Sequence, residues 1–115
     1  MSQYIFEEPL EYAFENRDGH SGKKYAVSTT QTNALIIECE DNLTVSYLQK
    51  NCDFNYYILS GKGYFVFNDG SQEVVKEGDL VAIPAGTKFS FGGKLKMLLI
   101  GAPSWSTEQE QTFDA

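Results

Sequence analysis

Apolar and polar residues alternate along most of this chain, in runs too short for helices and separated by turn residues. No other feature constrains its fold as much. "ALIIECE" (34–40), "NLTVSYLQ" (42–49), "NYYILS" (55–60), "GYFVFND" (63–69), "QEVVKE" (72–77), "DLVAIPA" (79–85), "KFSFGG" (88–93) and "LKMLLIGA" (95–102) each read as a strand, by period and by β-branched and aromatic content. Turn chemistry bounds them: Glu-Asp-Asn at 40–42, Ser-Gly-Lys-Gly at 60–63, Asn-Asp-Gly at 68–70, Glu-Gly-Asp at 77–79, Pro-Ala-Gly at 84–86 and Gly-Gly at 92–93. The Gly61-Lys62-Gly63 step is read as a hairpin turn. It is no phosphate loop, because a strand rather than a helix follows it. Strands spaced about ten residues apart predict an all-β sandwich or small closed barrel.

The two ends break the pattern. Residues 1–25 carry a proline, room for one helical turn and a polar glycine loop, and are expected to form an irregular N-terminal arm across the barrel. Residues 103–115 are acidic and aperiodic, a frayed tail or short helix, with Trp105 pinning it to the barrel. With 115 residues, one domain spans 1–115, its barrel at 34–102. Two cysteines and no leader-like opening suit a reducing cytoplasm. No apolar run approaches the roughly 20 residues that span a bilayer, so no membrane association is expected. Sixteen acidic against nine basic residues, formal charge −7 and scattered lysines argue against nucleic acid. Asn42-Leu43-Thr44 fits a glycosylation sequon but reads as a turn entering a strand.

"GDLVAIPAGTKF" sets Gly78, five residues, Pro84, Ala85, Gly86, two residues, then Phe89. This resembles the second motif of the cupin superfamily, G-x5-P-x-G-x2-H-x3-N. Counting back from Gly61, the first cupin motif, G-x5-H-x-H-x4-E-x6-G, puts its histidines at Tyr47 and Gln49 and its glutamate at Phe54. The 16 residues between Gly61 and Gly78 are a usual cupin separation. The resemblance covers roughly residues 34–102 and implies a jelly-roll β-barrel, a habit of homodimerisation and, in most members, a divalent metal held by three histidines and a glutamate.

Here the ligand positions hold Tyr47, Gln49, Phe54 and Phe89. Phenyl rings offer a cation nothing, and Tyr and Gln are weak or costly donors, so no metal or other cofactor is expected. A one-residue bulge bringing Asp53 inward would supply only one carboxylate. Leu43, Val45, Tyr47 and Gln49 share one strand face. With that face inward, Tyr47, Gln49, Phe54, Tyr56 and Phe89 converge at the mouth. They either plug the barrel as core or wall an aromatic pocket for a small carbohydrate-like or planar ligand.

His20, in "RDGHSGKK", is read as an exposed loop residue, against its other use as a general acid or base near neutral pH. Tyr25, Asp18 and Arg17 would line the mouth only if the arm folds over it. Cys39 is expected in core or edge and Cys52 in a loop, while Lys94 and Lys96 are read as charges guarding an edge. Three functions follow. The first is a metal-free binding or accessory module. The second is a metal-independent enzyme, similar in fold to sugar-nucleotide epimerases and ketoisomerases, with Tyr47 acting alone or with His20. The third is a structural dimerisation barrel.

Overall fold

The computed structural model describes residues 4–27, 31–103 and 110–114, and among them there is no helix. Nine strands form one connected sheet that curls on itself. They are β1 (Phe14–Arg17), β2 (His20–Lys24), β3 (Asn33–Cys39), β4 (Val45–Gln49), β5 (Asp53–Phe67), β6 (Gln72–Lys76), β7 (Leu80–Ile83), β8 (Phe89–Ala102) and β9 (Glu110–Asp114). One path runs β1-β2-β3-β8-β4-β9, and β5 joins it by pairing with β6, β7 and β8. The turns at 68–70, 77–79 and 84–86 stand where the sequence places them, with Gly70, Gly78 and Gly86 at positive φ.

Two expected turns are not turns. The runs expected at 55–60 and 63–69 merge into one 15-residue strand that ends at Phe67, and those expected at 88–93 and 95–102 merge into one 14-residue strand that starts at Phe89. The two long strands pair antiparallel from Asp53↔Ala102 to Phe67↔Phe89, with a register shift between Ile58 and Ser60. Gly61 and Gly93 adopt φ of 94° and 101°, and Gly63 lies opposite Gly93. A Cβ on Gly61 would stand 2.0 Å from the Lys94 carbonyl oxygen, and one on Gly93 would stand 2.5 Å from the Gly63 Cα. These glycines let two continuous strands bend and cross in close contact at a barrel corner.

The ends are also more regular than expected. β1 and β2 form a hairpin whose second strand adds to β3 along His20↔Cys39 to Lys24↔Leu35, so much of the arm belongs to the sheet. In the tail, β9 is a strand that pairs with β4 from Val45↔Asp114 to Gln49↔Glu110. Trp105 lies outside the described residues. Lys94 and Lys96 sit on β8, which is an inner strand flanked by β3 and β5, so they guard no edge. Lys96 Nζ instead lies 3.9 Å from a Glu8 carboxylate oxygen.

Inside the curl, Ile58, Phe65, Phe89, Phe91 and Met97 are fully buried. Aromatic rings meet there mostly edge to face or tilted, with Phe89 5.9 Å from both Phe54 and Tyr56 and Phe65 5.2 Å from Phe91. Cys39 is core, and Cys52 lies in the loop between β4 and β5 as expected but is buried there, its thiol donating to the Pro103 carbonyl at 2.9 Å.

Candidate ligand-binding site

The expected inward face of β4 is the observed one: Leu43, Tyr47 and Gln49 are buried and Val45 is half-buried. At one end of the barrel the β1–β2 hairpin folds across the mouth. Asp18-Gly19 forms its two-residue turn, with Arg17 opposite His20 and both turn residues at positive φ. The Asp18 carbonyl accepts the Thr44 N–H at 3.0 Å, which ties the turn to the approach to β4.

Three polar side chains are fixed by this placement. The Tyr47 hydroxyl donates to Asp18 Oδ2 at 2.7 Å. The same oxygen lies 3.7 Å from Arg17 Nε, and the Arg17 guanidinium stands over the Phe14 and Tyr47 rings at 5.6 and 5.7 Å. His20 is only 9% exposed, a correction to its reading as an exposed loop residue. Its ring packs against Phe14, Tyr47 and Phe91 at 5.0, 5.6 and 5.7 Å.

His20 Nδ1 lies 2.7 Å from the Arg17 carbonyl oxygen. A carbonyl only accepts, so Nδ1 carries the proton and Nε2 is left with its lone pair. Burial, helped by the Arg17 charge, lowers the His20 pKa from 6.5 to about 4, against the opposing pull of the carbonyl hydrogen bond and Asp18. The ring is neutral at pH 7. Burial first, and then the bond to Asp18, raises the Tyr47 hydroxyl well above its usual value, and burial does the same to Tyr56.

These groups surround a cavity of about 30 Å³ at the mouth. Arg17, His20, Tyr47 and Tyr56 contribute its polar lining, and Phe14, Phe54 and Phe89 stand among its apolar walls. Of the residues expected at the site, Tyr47, Phe54, Tyr56 and Phe89 are therefore brought together, while Gln49 is buried outside the lining. Arg17 and Asp18 do reach the mouth, but Tyr25 is not in the lining. The aromatics fill most of the interior, and the remaining space takes a group about the size of a water molecule.

The cupin metal set does not fit these residues. Phe54 rather than Asp53 points inward: Phe54 is buried, whereas Asp53 is exposed and its carboxylate accepts the Ala85 N–H at 2.8 Å. Two phenyl rings, a hydrogen-bonded phenol and an amide are not a divalent-metal donor set. Among the described residues no group of three or more His, Cys, Asp or Glu is arranged to hold a metal ion. The same residues contain no helix long and apolar enough to cross a membrane.

No family model matches the chain, and no curated protein matches it by sequence. Solved structures do match. A Streptomyces Pac13 variant with a tyrosine replaced by phenylalanine, solved with uridine, superposes with a TM-score of 0.88 at 21% identity, covering 99% of this chain and 93% of its own. Pac13 is described as a nucleoside dehydratase. A cupin-superfamily sugar phosphate isomerase from Silicibacter pomeroyi superposes at 0.65 with 18% identity, over 96% of this chain and 77% of its own. Ectoine synthase from P. lautus does so at 0.67 with 12% identity, over 88% and 80%. With its curled sheet and the spacing of Gly61, Gly78, Pro84 and Gly86, this chain is a small cupin-fold domain.

Proposed function

We propose that this domain is a metal-free small-molecule-binding barrel whose ligand is a planar or sugar ring seated at the mouth. One observation carries the reading: Arg17, His20, Tyr47 and Tyr56 converge on one cavity whose other walls are apolar. Convergent polar groups over an apolar wall are the usual make-up of a small-ligand site. The cavity admits only one functional group of such a ligand, so the ring itself lies at the rim, beside the Arg17 guanidinium that stands over Tyr47. A nucleoside is the first probe to use, since Pac13 was solved with uridine. Titration of the full chain with uridine, followed by calorimetry and thermal shift, tests the reading. If neither uridine nor a panel of nucleotide sugars, keto acids and free sugars shifts the transition, the structural-barrel reading replaces it.

A second reading, a metal-independent proton-transfer enzyme, is favoured by one specific feature. A neutral His20, oriented through Nδ1 by the Arg17 carbonyl, leaves Nε2 as a base beside Tyr47. Unchanged turnover of a bound substrate after Tyr47→Phe and His20→Gln removes it. As part of the same proposal, the domain is a homodimer. Its outer face carries the cross-strand row Leu80, Tyr57, Leu98 and Ile36, in which Leu80 and Tyr57 are exposed. Sedimentation equilibrium of the wild type and of Leu80→Lys checks that. A cytoplasmic home suits the free, buried thiols of Cys39 and Cys52, and the −7 charge disfavours nucleic acid as partner.

A further inference from the structure

The ligand class can be narrowed from the inner end of the cavity, on the footing of the binding reading above. Tyr56 is 4% exposed and lines the cavity, yet its hydroxyl meets no hydrogen-bond partner among the described residues. A buried phenol ordinarily finds one. His20, lining the same cavity, has Nδ1 engaged and offers Nε2 as an acceptor. The cavity's other hydroxyl, on Tyr47, already donates to Asp18. The cavity thus holds one acceptor without a donor and one hydroxyl able to give and to receive.

We propose that this cavity is a hydroxyl subsite, in which a ligand C–O–H donates to His20 Nε2 and accepts from the Tyr56 hydroxyl. A hydroxyl satisfies both protein groups at once, and its size matches the roughly water-sized space. An oxyanion does not, because it would face the Nε2 lone pair. Arg17, the cation at the rim, is itself balanced by Asp18 at 3.7 Å. The ligand is therefore a ring carrying a free hydroxyl, such as a sugar, nucleoside or cyclic polyol, and its hydroxyl enters first.

Methanol is the smallest probe of the subsite. In the full chain, methanol titration followed by NMR of the His20 ring nitrogens and Tyr56 ring is expected to give a saturable shift at His20 Nε2. Acetate gives none, and Tyr56→Phe abolishes the methanol response. A methanol response that never saturates, or an equal response to acetate, overturns the proposal. His20→Gln, read from the Tyr56 signals, shows the same loss and keeps the test open if Tyr56→Phe does not fold. With uridine, Tyr56→Phe weakens binding about tenfold and leaves the analogue lacking all three ribose hydroxyls unaffected. Equal losses on both ligands overturn the subsite. If methanol saturates at His20 while uridine does not bind, the rim reading with uridine falls and the hydroxyl subsite stands.

Discussion

Gly61→Ala against Gly70→Ala separates two roles a glycine can have in this barrel. Both positions have positive φ, 94° and 80°, so both substitutions place a side chain in a conformation costing about 1–2 kcal/mol. Both also remove the same unfolded-state freedom, about 0.4–1 kcal/mol in the opposite direction, which cancels in the comparison. They differ in what the new methyl meets. At Gly70 nothing lies within 4 Å, whereas at Gly61 the Cβ would be 2.0 Å from the Lys94 carbonyl oxygen and 3.3 Å from the Leu95 Cα. The obstacle is backbone of an inner strand paired on both sides, so it cannot swing away as a side chain could. Prying β5 from β8 there adds about 1–3 kcal/mol, as overpacking does in a well-filled core. The expected total is about 2–4 kcal/mol for Gly61→Ala against about 1 for Gly70→Ala. For a domain this size that separates the melting temperatures by roughly 4–15 °C. Urea unfolding of both variants by circular dichroism, with the slopes compared to confirm an unchanged unfolding reaction, reads the difference directly. Equal losses in the two variants would refute the crossing at Gly61 and restore a simple hairpin turn.

The folded His20 has a pKa of about 4 against 6.5 unfolded, so between these values the unfolded chain binds the extra proton. His20 therefore contributes stability fully above pH 6.5 that drains away as pH falls to about 4, up to about 3 kcal/mol in all. The carboxylates titrate in the same range, so the measurement is the difference between the stability profiles of wild type and His20→Gln; a flat difference from pH 7 to 4 contradicts the buried neutral ring. Tyr47→Phe removes the donor to Asp18 and should lower stability by about 1 kcal/mol in urea unfolding, with no gain in the stable species. Phe89→Ala should cost about 3–5 kcal/mol, because the ring is 2% exposed and packs on Phe54, Tyr56 and Phe65; a loss under about 1 would mean that the interior is hollow. Elemental analysis of untagged protein should find no stoichiometric transition metal, and one metal ion per chain would contradict the donor chemistry at Tyr47, Gln49, Phe54 and Phe89.

Strand alternation was sufficient for much of the barrel because one face of each strand is buried, and burial enforces the period. Leu43, Val45, Tyr47 and Gln49 turn inward for that reason, and Tyr47, Phe54, Tyr56 and Phe89 converge as the motif spacing implies. Gln49 is the exception: it shares the inward face but sits away from the cavity, since a shared strand face does not specify position along the barrel axis. The glycines mislead for a different reason. A turn and a close strand crossing both select Gly, and the two are told apart by whether the facing strand also lacks side chains. Gly63 opposite Gly93 answers that, but only once the pairing is known.

The site's other half comes from the stretch least legible by period. "RDGHSGKK" has hardly an apolar residue, so composition favours a loop, yet Asp-Gly is among the strongest two-residue hairpin signals, and it sets Arg17 against His20. From that turn, alternation sends His20 and Gly22 inward on β2. Gly22 then has a reason to be glycine, since a Cβ there would stand 2.5 Å from the Phe14 ring that closes the mouth beside His20. A polar segment can build the inside of a barrel where its strand crosses the mouth, because there the groups it buries are those a ligand would meet. The hydrophobic pattern alone cannot find such a strand; the turn that starts it can.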